Sequence, residues 1–219
     1  MRNRIDRLAI FDIDGTLHKT EVMSVKAHQI VMKEFGLPAP TKEKLFSTYG
    51  ADTETILDML GVVGSREYRK TFQDRMELEE RRQMIAAAQC YEGVLDSLHK
   101  LHRDNVSLAL CSMCDAMYME TFIRKFALQD LIVLKRNESF GPDKRLLLQD
   151  MLQEAGTDRA VMVGDRVFDL EAAKYCGIPF IGCLYGYNPE EVEREPYLAK
   201  SGADLYGLVK RVLSEPECK

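Results

Sequence analysis

The stretch LAIFDIDGT, residues 8–16, decides the fold. Its apolar run Leu8–Phe11 has the length of one strand and no polar alternation, which indicates a strand buried on both faces of a sheet. Asp12 and Asp14 follow at once, and the alternation of an extended backbone points both side chains past the carboxyl end of this strand. Gly15 then permits a sharp turn. Because open α/β sheets bind ligands at the carboxyl ends of their strands, the stretch predicts a functional site as well as a strand.

The rest of the chain alternates between strand-like and helical patterns. Apolar runs with the length of a buried strand recur at 106–111, 131–134, 160–163 and 180–184. Between and after them, apolar residues spaced for one helix face cover 94–102, 117–126, 144–155, 168–176 and 205–213. This alternation predicts an α/β fold with a doubly wound (Rossmann-like) parallel sheet as its core.

One interval interrupts the alternation directly after the first strand. Between residues 18 and 88 no strand-like run occurs, and amphipathic helical patterns appear instead at 22–35, 41–49, 52–60 and 65–88. They predict an inserted all-helical cap domain over residues 18–90, with residues 1–17 and 91–219 forming the α/β catalytic core domain.

A cap inserted at this point can close over the strand ends, exclude water and reopen for product release. Its hinges are expected near residues 17–20 and 90–93. The charge run at 77–82 within the insertion is interpreted as a solvated helix face.

Composition limits the classes of function. The 219 residues are 46% hydrophobic and 30% charged, as in a globular protein with one or two compact domains. A net charge of -5 argues against nucleic acid as a partner, because nucleic-acid binding usually requires a basic face. The first apolar run is too short for a signal-peptide core, and no run has membrane-spanning length, so we expect a cytoplasmic protein without a membrane partner.

The six cysteines are spread through apolar segments, which predicts reduced thiols rather than a disulfide framework. Cys111 and Cys114 form a C-x-x-C pair, a pattern found in redox sites and in half of a zinc site. No second pair completes such a zinc site, so we favour two buried thiols at a strand end.

A second pair of aspartates follows a later strand. The run 160–163 leads into Gly164, Asp165 and, four residues further on, Asp169, which shares a helix face with Asp165. Helix capping would explain one aspartate, but it explains two strand ends with paired aspartates poorly. Four carboxylates in one site repel each other, and an oxygen-only ligand set without histidine or cysteine favours Mg²⁺ as the cation that holds them together.

The order of these motifs resembles the haloacid dehalogenase superfamily over nearly the whole chain. The shared features are D-I-D-G-T, a helical insertion, a serine at the end of the second strand, a lysine that opens a later helix, and G-D-x-x-x-D. The stretches YEGV at 91–94, GIP at 177–179 and LYGY at 184–187 resemble the phosphoglycolate phosphatase-like branch.

The resemblance implies a role for each matching residue. Asp12 would be the nucleophile that forms an aspartyl-phosphate, and Asp14 would protonate the leaving oxygen and then activate water. Mg²⁺ would be held by Asp12, the backbone carbonyl of Asp14 and Asp165, with Asp169 as a further ligand or as an acceptor beside the ligands.

Two further residues would contact the phosphate. Ser112 would donate its hydroxyl to a phosphoryl oxygen, and Lys144 would supply positive charge. Each has a structural alternative, because Ser112 is also placed to cap the helix that follows it and Lys144 is also placed to be a solvated lysine of a first helical turn. The chain departs from the family pattern with Met113 after the serine and with Gly-Pro-Asp before Lys144, so Lys135 is a reserve candidate.

The presence of Asp14 disfavours dehalogenation, because the dehalogenases of the superfamily lack an aspartate there. We therefore predict Mg²⁺-dependent hydrolysis of a small phosphorylated metabolite, a phosphate monoester. A sugar phosphomutase and a non-catalytic small-molecule binding protein are the alternatives, and the sequence predicts no oligomeric state.

The substrate would be selected by the cap, since the core residues touch only the phosphoryl group. The candidate specificity residues lie in one loop of the cap: Tyr49, Gly50, Asp52 and Thr53, of which Asp52 is equally well explained as a helix cap. Phosphonate hydrolysis would require an activated cap lysine, and nothing marks Lys42 or Lys44 as such a residue.

Overall fold

The computed structural model describes residues 5–214, which form a six-stranded sheet and nine α-helices within that range. The strands are β1 (Leu8–Phe11), β2 (Ser107–Cys111), β3 (Ile132–Arg136), β4 (Ala160–Gly164), β5 (Phe180–Cys183) and β6 (Leu198–Ala199). The helices are α1 (Glu21–Glu34), α2 (Lys42–Phe46), α3 (Thr53–Met59), α4 (Arg66–Ala87), α5 (Val94–Arg103), α6 (Ala116–Lys125), α7 (Lys144–Ala155), α8 (Val167–Cys176) and α9 (Asp204–Val212). None of the described helices is both long enough and apolar enough to cross a membrane.

The sheet is parallel throughout and has the strand order β3-β2-β1-β4-β5-β6. The chain runs outward from β1 to β3 and then returns to the other side of β1, so the order reverses at β1. This topology confirms the prediction of a doubly wound α/β sheet. It also places the ligand-binding crevice at the carboxyl ends of β1 and its two neighbours.

Alternate residues of β1 point to the two faces of the sheet. Ala9 and Phe11 belong to an apolar cluster that also contains residues of α5, α6 and α9, whereas Leu8 and Ile10 belong to a second cluster with residues of α7 and α8. Burial on both faces explains why the strands appear in the sequence as continuous apolar runs.

The insertion after β1 contains α1 to α4 and has an apolar cluster of its own, which includes Val31, Leu57 and Phe72. Its two connections to the sheet lie side by side: Lys19 N donates to Gln89 O at 2.8 Å, and Tyr91 N donates to Leu17 O at 3.1 Å. The long helix α4 packs against α1 and also reaches α6 beside the sheet. The inserted helices are therefore seated over the carboxyl ends of the strands.

Candidate functional site

Three buried carboxylates meet at the end of the sheet. Asp12 follows β1, Asp165 follows the adjacent strand β4, and Asp169 lies in the first turn of α8. Each offers an oxygen within 4.8 Å of the others. No other group of histidines, cysteines and acids among the described residues could hold a metal ion.

Lys144 is the counter-charge of this cluster. Its Nζ lies 2.5 Å from Asp12 Oδ1 and 2.5 Å from Asp169 Oδ1, and the residue is only 6% exposed. It is the first residue of α7, whose N-cap Asp143 accepts a hydrogen bond from Arg145 N at 2.9 Å. Lys135 is exposed and pairs with Glu120 instead. The structure thus brings Lys144 into the site and leaves Lys135 outside it.

Charge in this cluster is not balanced. Burial raises the pKa of Asp12 to about 7, although Lys144 acts in the opposite direction. Burial, together with the charges of Asp12 and Asp169, raises the pKa of Asp165 well above its ordinary value. The same two carboxylates, Asp12 and Asp169, outweigh burial at Lys144 and raise its pKa. When all three carboxylates are ionised, the one ammonium leaves two negative charges, which is the charge that one divalent cation would neutralise.

The donor set also fits such a cation. All available ligand atoms are carboxylate oxygens, as a hard cation requires. Asp169 Oδ1 is buried and, apart from its ion pair with Lys144, makes no hydrogen bond. Asp165 is fixed by hydrogen bonds from Thr16 Oγ1 at 3.2 Å and Tyr187 N at 2.9 Å. A Cβ at Gly15, where φ is +82°, would collide with the Asp165 carboxylate, so glycine makes the close approach possible.

The Asp14 side chain is not part of this trio of carboxylates. Thr20 Oγ1 donates to Asp14 Oδ1 at 2.6 Å, Tyr118 OH donates to the same oxygen, and His18 Nδ1 lies 3.0 Å from Tyr118 OH. Burial raises the pKa of Asp14, but His18, Thr20 and Tyr118 together hold it below its ordinary value. Sequence reasoning missed Thr20 and Tyr118, because a threonine before a helix and a tyrosine within one carry no local signal of a site.

Ser112 is buried at the end of β2 and lines a cavity between the sheet and the inserted helices. The helix that follows is capped by Asp115, whose side chain accepts a hydrogen bond from Tyr118 N at 2.8 Å. The alternative that Ser112 caps α6 is therefore wrong.

The cavity has a volume of about 120 Å³. Asp14 and Ser112 line it from the sheet side, and Phe72 and Met76 of α4 line it from the inserted helices. Glu77 and Glu80 also line it, and Glu79 between them is buried, so the interpretation of the 77–82 charge run as a solvated helix face is wrong for these three residues. A single helix exposes one face to solvent and another to a cavity, and charge alone does not distinguish them.

The loop predicted to select the substrate borders the same cavity through Tyr49, Gly50 and Thr53. Asp52 serves as the N-cap of α3, accepting a hydrogen bond from Thr55 N at 3.1 Å.

Three hydrogen bonds join this loop to residues beside the sheet, one of them from Thr53 N to Glu138 Oε2 at 3.4 Å. Thr53 Oγ1 donates to Glu138 Oε2 at 2.6 Å, and the guanidinium of Arg166 donates to the Tyr49 carbonyl. Arg166 is held by Glu191 at 2.9 Å. Sequence reasoning missed Arg166, although it directly follows Asp165.

The cysteines and the lysines of α2 are not part of this site. The five cysteines within residues 5–214 are free thiols, and burial raises the pKa of Cys111 to about 12. Cys218 lies outside the described residues. Lys42 and Lys44 are exposed on α2.

Comparison with known proteins gives consistent results. The family model of haloacid dehalogenase-like hydrolases matches residues 9–183. The chain is 27% identical over 200 residues to a phosphoglycolate phosphatase of Agrobacterium fabrum, covering 86% of this chain and 85% of that protein. It is 28% identical over 212 residues to the pyrophosphatase PpaX of Listeria welshimeri, covering 92% and 95%.

Among solved structures, a predicted phosphoglycolate phosphatase from Haemophilus somnus superposes with a TM-score of 0.84 at 17% identity, covering 92% of this chain and 97% of that one. At this identity the superposition supports the fold alone. The family match spans both aspartate motifs, the insertion and Lys144. The chain therefore belongs to the haloacid dehalogenase-like hydrolase family.

Proposed function

We propose that the protein is a Mg²⁺-dependent phosphatase that hydrolyses a small phosphate monoester through an aspartyl-phosphate on Asp12. The observation that carries the proposal is the buried cluster in which Asp12 lies 2.5 Å from Lys144 and shares a potential cation site with Asp165 and Asp169. In this proposal residues 18–90 act as a cap domain over a catalytic core made of 1–17 and 91–219.

Asp12 is placed to act as the nucleophile. Lys144 orients one of its oxygens and supplies positive charge where a phosphate dianion would arrive. Mg²⁺ held by Asp12, Asp165, Asp169 and the Asp14 backbone carbonyl would offset the repulsion between carboxylate and phosphate and stabilise the charge of the transition state. An Asp12 oxygen would form a bond to phosphorus while the bond from phosphorus to the ester oxygen breaks.

In this proposal Asp14 moves the protons. It would give a proton to the leaving oxygen and later take one from the water that hydrolyses the aspartyl-phosphate, so that phosphate is released and Asp12 is regenerated. Thr20 and Tyr118 hold its carboxylate in position. Ser112 borders the cavity from the end of β2, where its hydroxyl would donate to a phosphoryl oxygen. Closure by the cap would exclude competing water.

Phosphate release from a panel of small phosphate esters tests the proposal. The panel is run with Mg²⁺ and with a chelator, for the intact protein, for Asp12→Asn and for Asp130→Asn, which replaces an exposed aspartate far along the chain. We expect release only with Mg²⁺, its loss in Asp12→Asn, and unchanged release in Asp130→Asn. Full activity in Asp12→Asn would overturn the mechanism. Isomerisation of a sugar phosphate without net phosphate release would identify the phosphomutase instead.

A further inference from the structure

The cavity under the inserted helices carries an unusual distribution of charge. Four of its lining residues are acids, namely Asp14, Glu77, Glu80 and Asp115, and none of the lining residues in the described part of the chain is a lysine or an arginine. The one basic group is His28. Burial lowers its pKa, although its hydrogen bond to the Ser24 carbonyl acts in the opposite direction. The cavity therefore offers negative charge and no permanent positive charge.

These acids face each other from different parts of the molecule. Glu77 and Glu80 lie on α4 of the insertion, whereas Asp115 lies at the start of α6 beside the sheet. Burial, followed by repulsion from Asp115, Asp14, Glu77 and Glu138, raises the pKa of Glu80 to about 8. Burial also raises the pKa of Glu77 and of Asp115.

The protein compensates Asp14 and Asp115 with hydrogen bonds, but it supplies little to the two glutamates of α4. Glu80 makes no hydrogen bond or ion pair among residues 5–214, and Glu77 accepts one from the amide of Gln73 at 2.9 Å. By contrast, Glu79 between them pairs with Arg75 at 2.9 Å on another face of the same helix. Half-buried carboxylates without a cation beside them are unfavourable, and a positive charge brought by a ligand would offset that cost.

We infer that the leaving group of the substrate carries an ammonium group on a short aliphatic chain, so that the substrate is a small aminoalkyl phosphate. This inference rests on the proposed phosphatase function, because it assigns the cavity beside Asp14 and Ser112 to the leaving group. The ammonium group pairs with Glu80 and its acidic neighbours, and the chain contacts the apolar lining residues Leu57, Phe72 and Met76. A volume of about 120 Å³ has room for a small group of this kind.

The same charges reject anionic leaving groups. A carboxylate or a second phosphate in the cavity would meet four acids and no lysine or arginine, so like-charge repulsion acts against it. The leaving groups of phosphoglycolate and of pyrophosphate are of this anionic type. The inference therefore separates this chain from the relatives that are named for those substrates.

Three esters of matched size test the inference: 2-aminoethyl phosphate, ethyl phosphate and phosphoglycolate, which differ in the charge of the leaving group. With Mg²⁺ present, we expect kcat/KM for 2-aminoethyl phosphate to exceed that for ethyl phosphate by about tenfold and that for phosphoglycolate by about a hundredfold or more. Glu80→Gln should reduce the preference for the amine over ethyl phosphate by about tenfold, while Glu67→Gln, an exposed acid of the same helix, should leave the ratio unchanged.

Equal or better hydrolysis of phosphoglycolate would overturn the inference while leaving the phosphatase intact. If none of the esters is hydrolysed, the proposed function fails, and calorimetric titration of Asp12→Asn with 2-aminoethyl phosphate and with phosphoglycolate still decides the inference. Tighter binding of the amine supports it, and tighter or equal binding of phosphoglycolate overturns it.

Discussion

The two ends of the site hold similar numbers of carboxylates but balance them differently. At the end of the sheet, Asp12, Asp165 and Asp169 share Lys144 at ion-pair distance and together offer a cation site. In the cavity under the insertion, Glu77 and Glu80 have no lysine or arginine beside them among the described lining residues.

The difference shows which region has a positive side chain of its own and which region needs a positive charge from the substrate. The sheet end carries its own counter-charge, so it serves any phosphoryl group, whereas the cavity lacks one and is therefore selective for the rest of the molecule. Strand ends and the first turns of two helices build the first region, and the inserted helix α4 supplies the acids Glu77 and Glu80 of the second.

Removing the counter-charge of the sheet end is expected to have the largest effect. Lys144→Met leaves buried Asp12 and Asp169 without a cation, and breaking a buried ion pair in this way costs about 3–5 kcal/mol of the free energy of unfolding. Urea unfolding in the presence of a chelator measures this loss. The matched control Lys135→Met removes only a surface pair with Glu120 and should cost at most about 1 kcal/mol. Equal losses in the two variants would show that Lys144 does not balance the cluster.

Loss of the Tyr118 hydroxyl should be the next largest effect. Tyr118→Phe removes a hydrogen bond to the Asp14 carboxylate, and bonds to charged groups are worth about 1.5–3 kcal/mol, so kcat/KM should fall by about 10- to 100-fold. Steady-state kinetics measure this fall. Tyr206→Phe is the control, since that hydroxyl donates to Asp104 at 2.9 Å, away from the site. An unchanged kcat/KM in Tyr118→Phe would show that the Tyr118 hydroxyl does not support the role of Asp14.

The sequence predicted the sheet end far better than the cavity, for a physical reason. Strands buried on both faces leave continuous apolar runs, and the loops after them place aspartates at fixed offsets, so Asp12, Asp165 and Asp169 could be named from local pattern alone. Asp14 was named from the same pattern, but its side chain lines the cavity instead. Strand β6 was missed because its two residues are too few to show the hydrophobic pattern of a strand. Lys144 remained one of two candidates, because its contact with Asp12 joins residues 132 positions apart.

The cavity could not be predicted because its residues have no distinctive local pattern. A glutamate on a long helix has the same sequence context whether it faces water or a cavity, and the exposed Glu67 and the cavity-lining Glu80 of α4 do differ in this respect. Only the packing of the inserted α4 against α6 brings Glu80 opposite Asp115.

The repulsion within the cavity should also appear as a dependence of stability on pH. The pKa of Glu80 is raised in the folded protein from 4.5 to about 8, by burial and by Asp115, Asp14, Glu77 and Glu138. A raised pKa means that the folded state binds the proton more tightly, so this stabilisation is complete below pH 4.5 and is lost as the pH rises through about 8. Between pH 6 and pH 9, Glu80→Gln should therefore lose less stability in urea unfolding than the intact protein or Glu67→Gln. Parallel loss in all three proteins would show that neither burial nor its acidic neighbours raise the pKa of Glu80.

The smallest expected effect concerns a bond that holds the loop over the cavity. Thr53→Val removes the hydroxyl that donates to Glu138 at 2.6 Å, and one such bond between the insertion and the core is worth about 1 kcal/mol, so kcat/KM should fall by about fivefold. Thr55→Val is the matched control, because the Thr55 hydroxyl donates to Asp52 at 2.7 Å within the insertion and makes no bond to residues beside the sheet. A fall confined to Thr53→Val would come from the contact with the core. A fall of the same size in Thr55→Val would place the effect in the loop itself, and the seating of the insertion over the cavity would then not depend on Glu138.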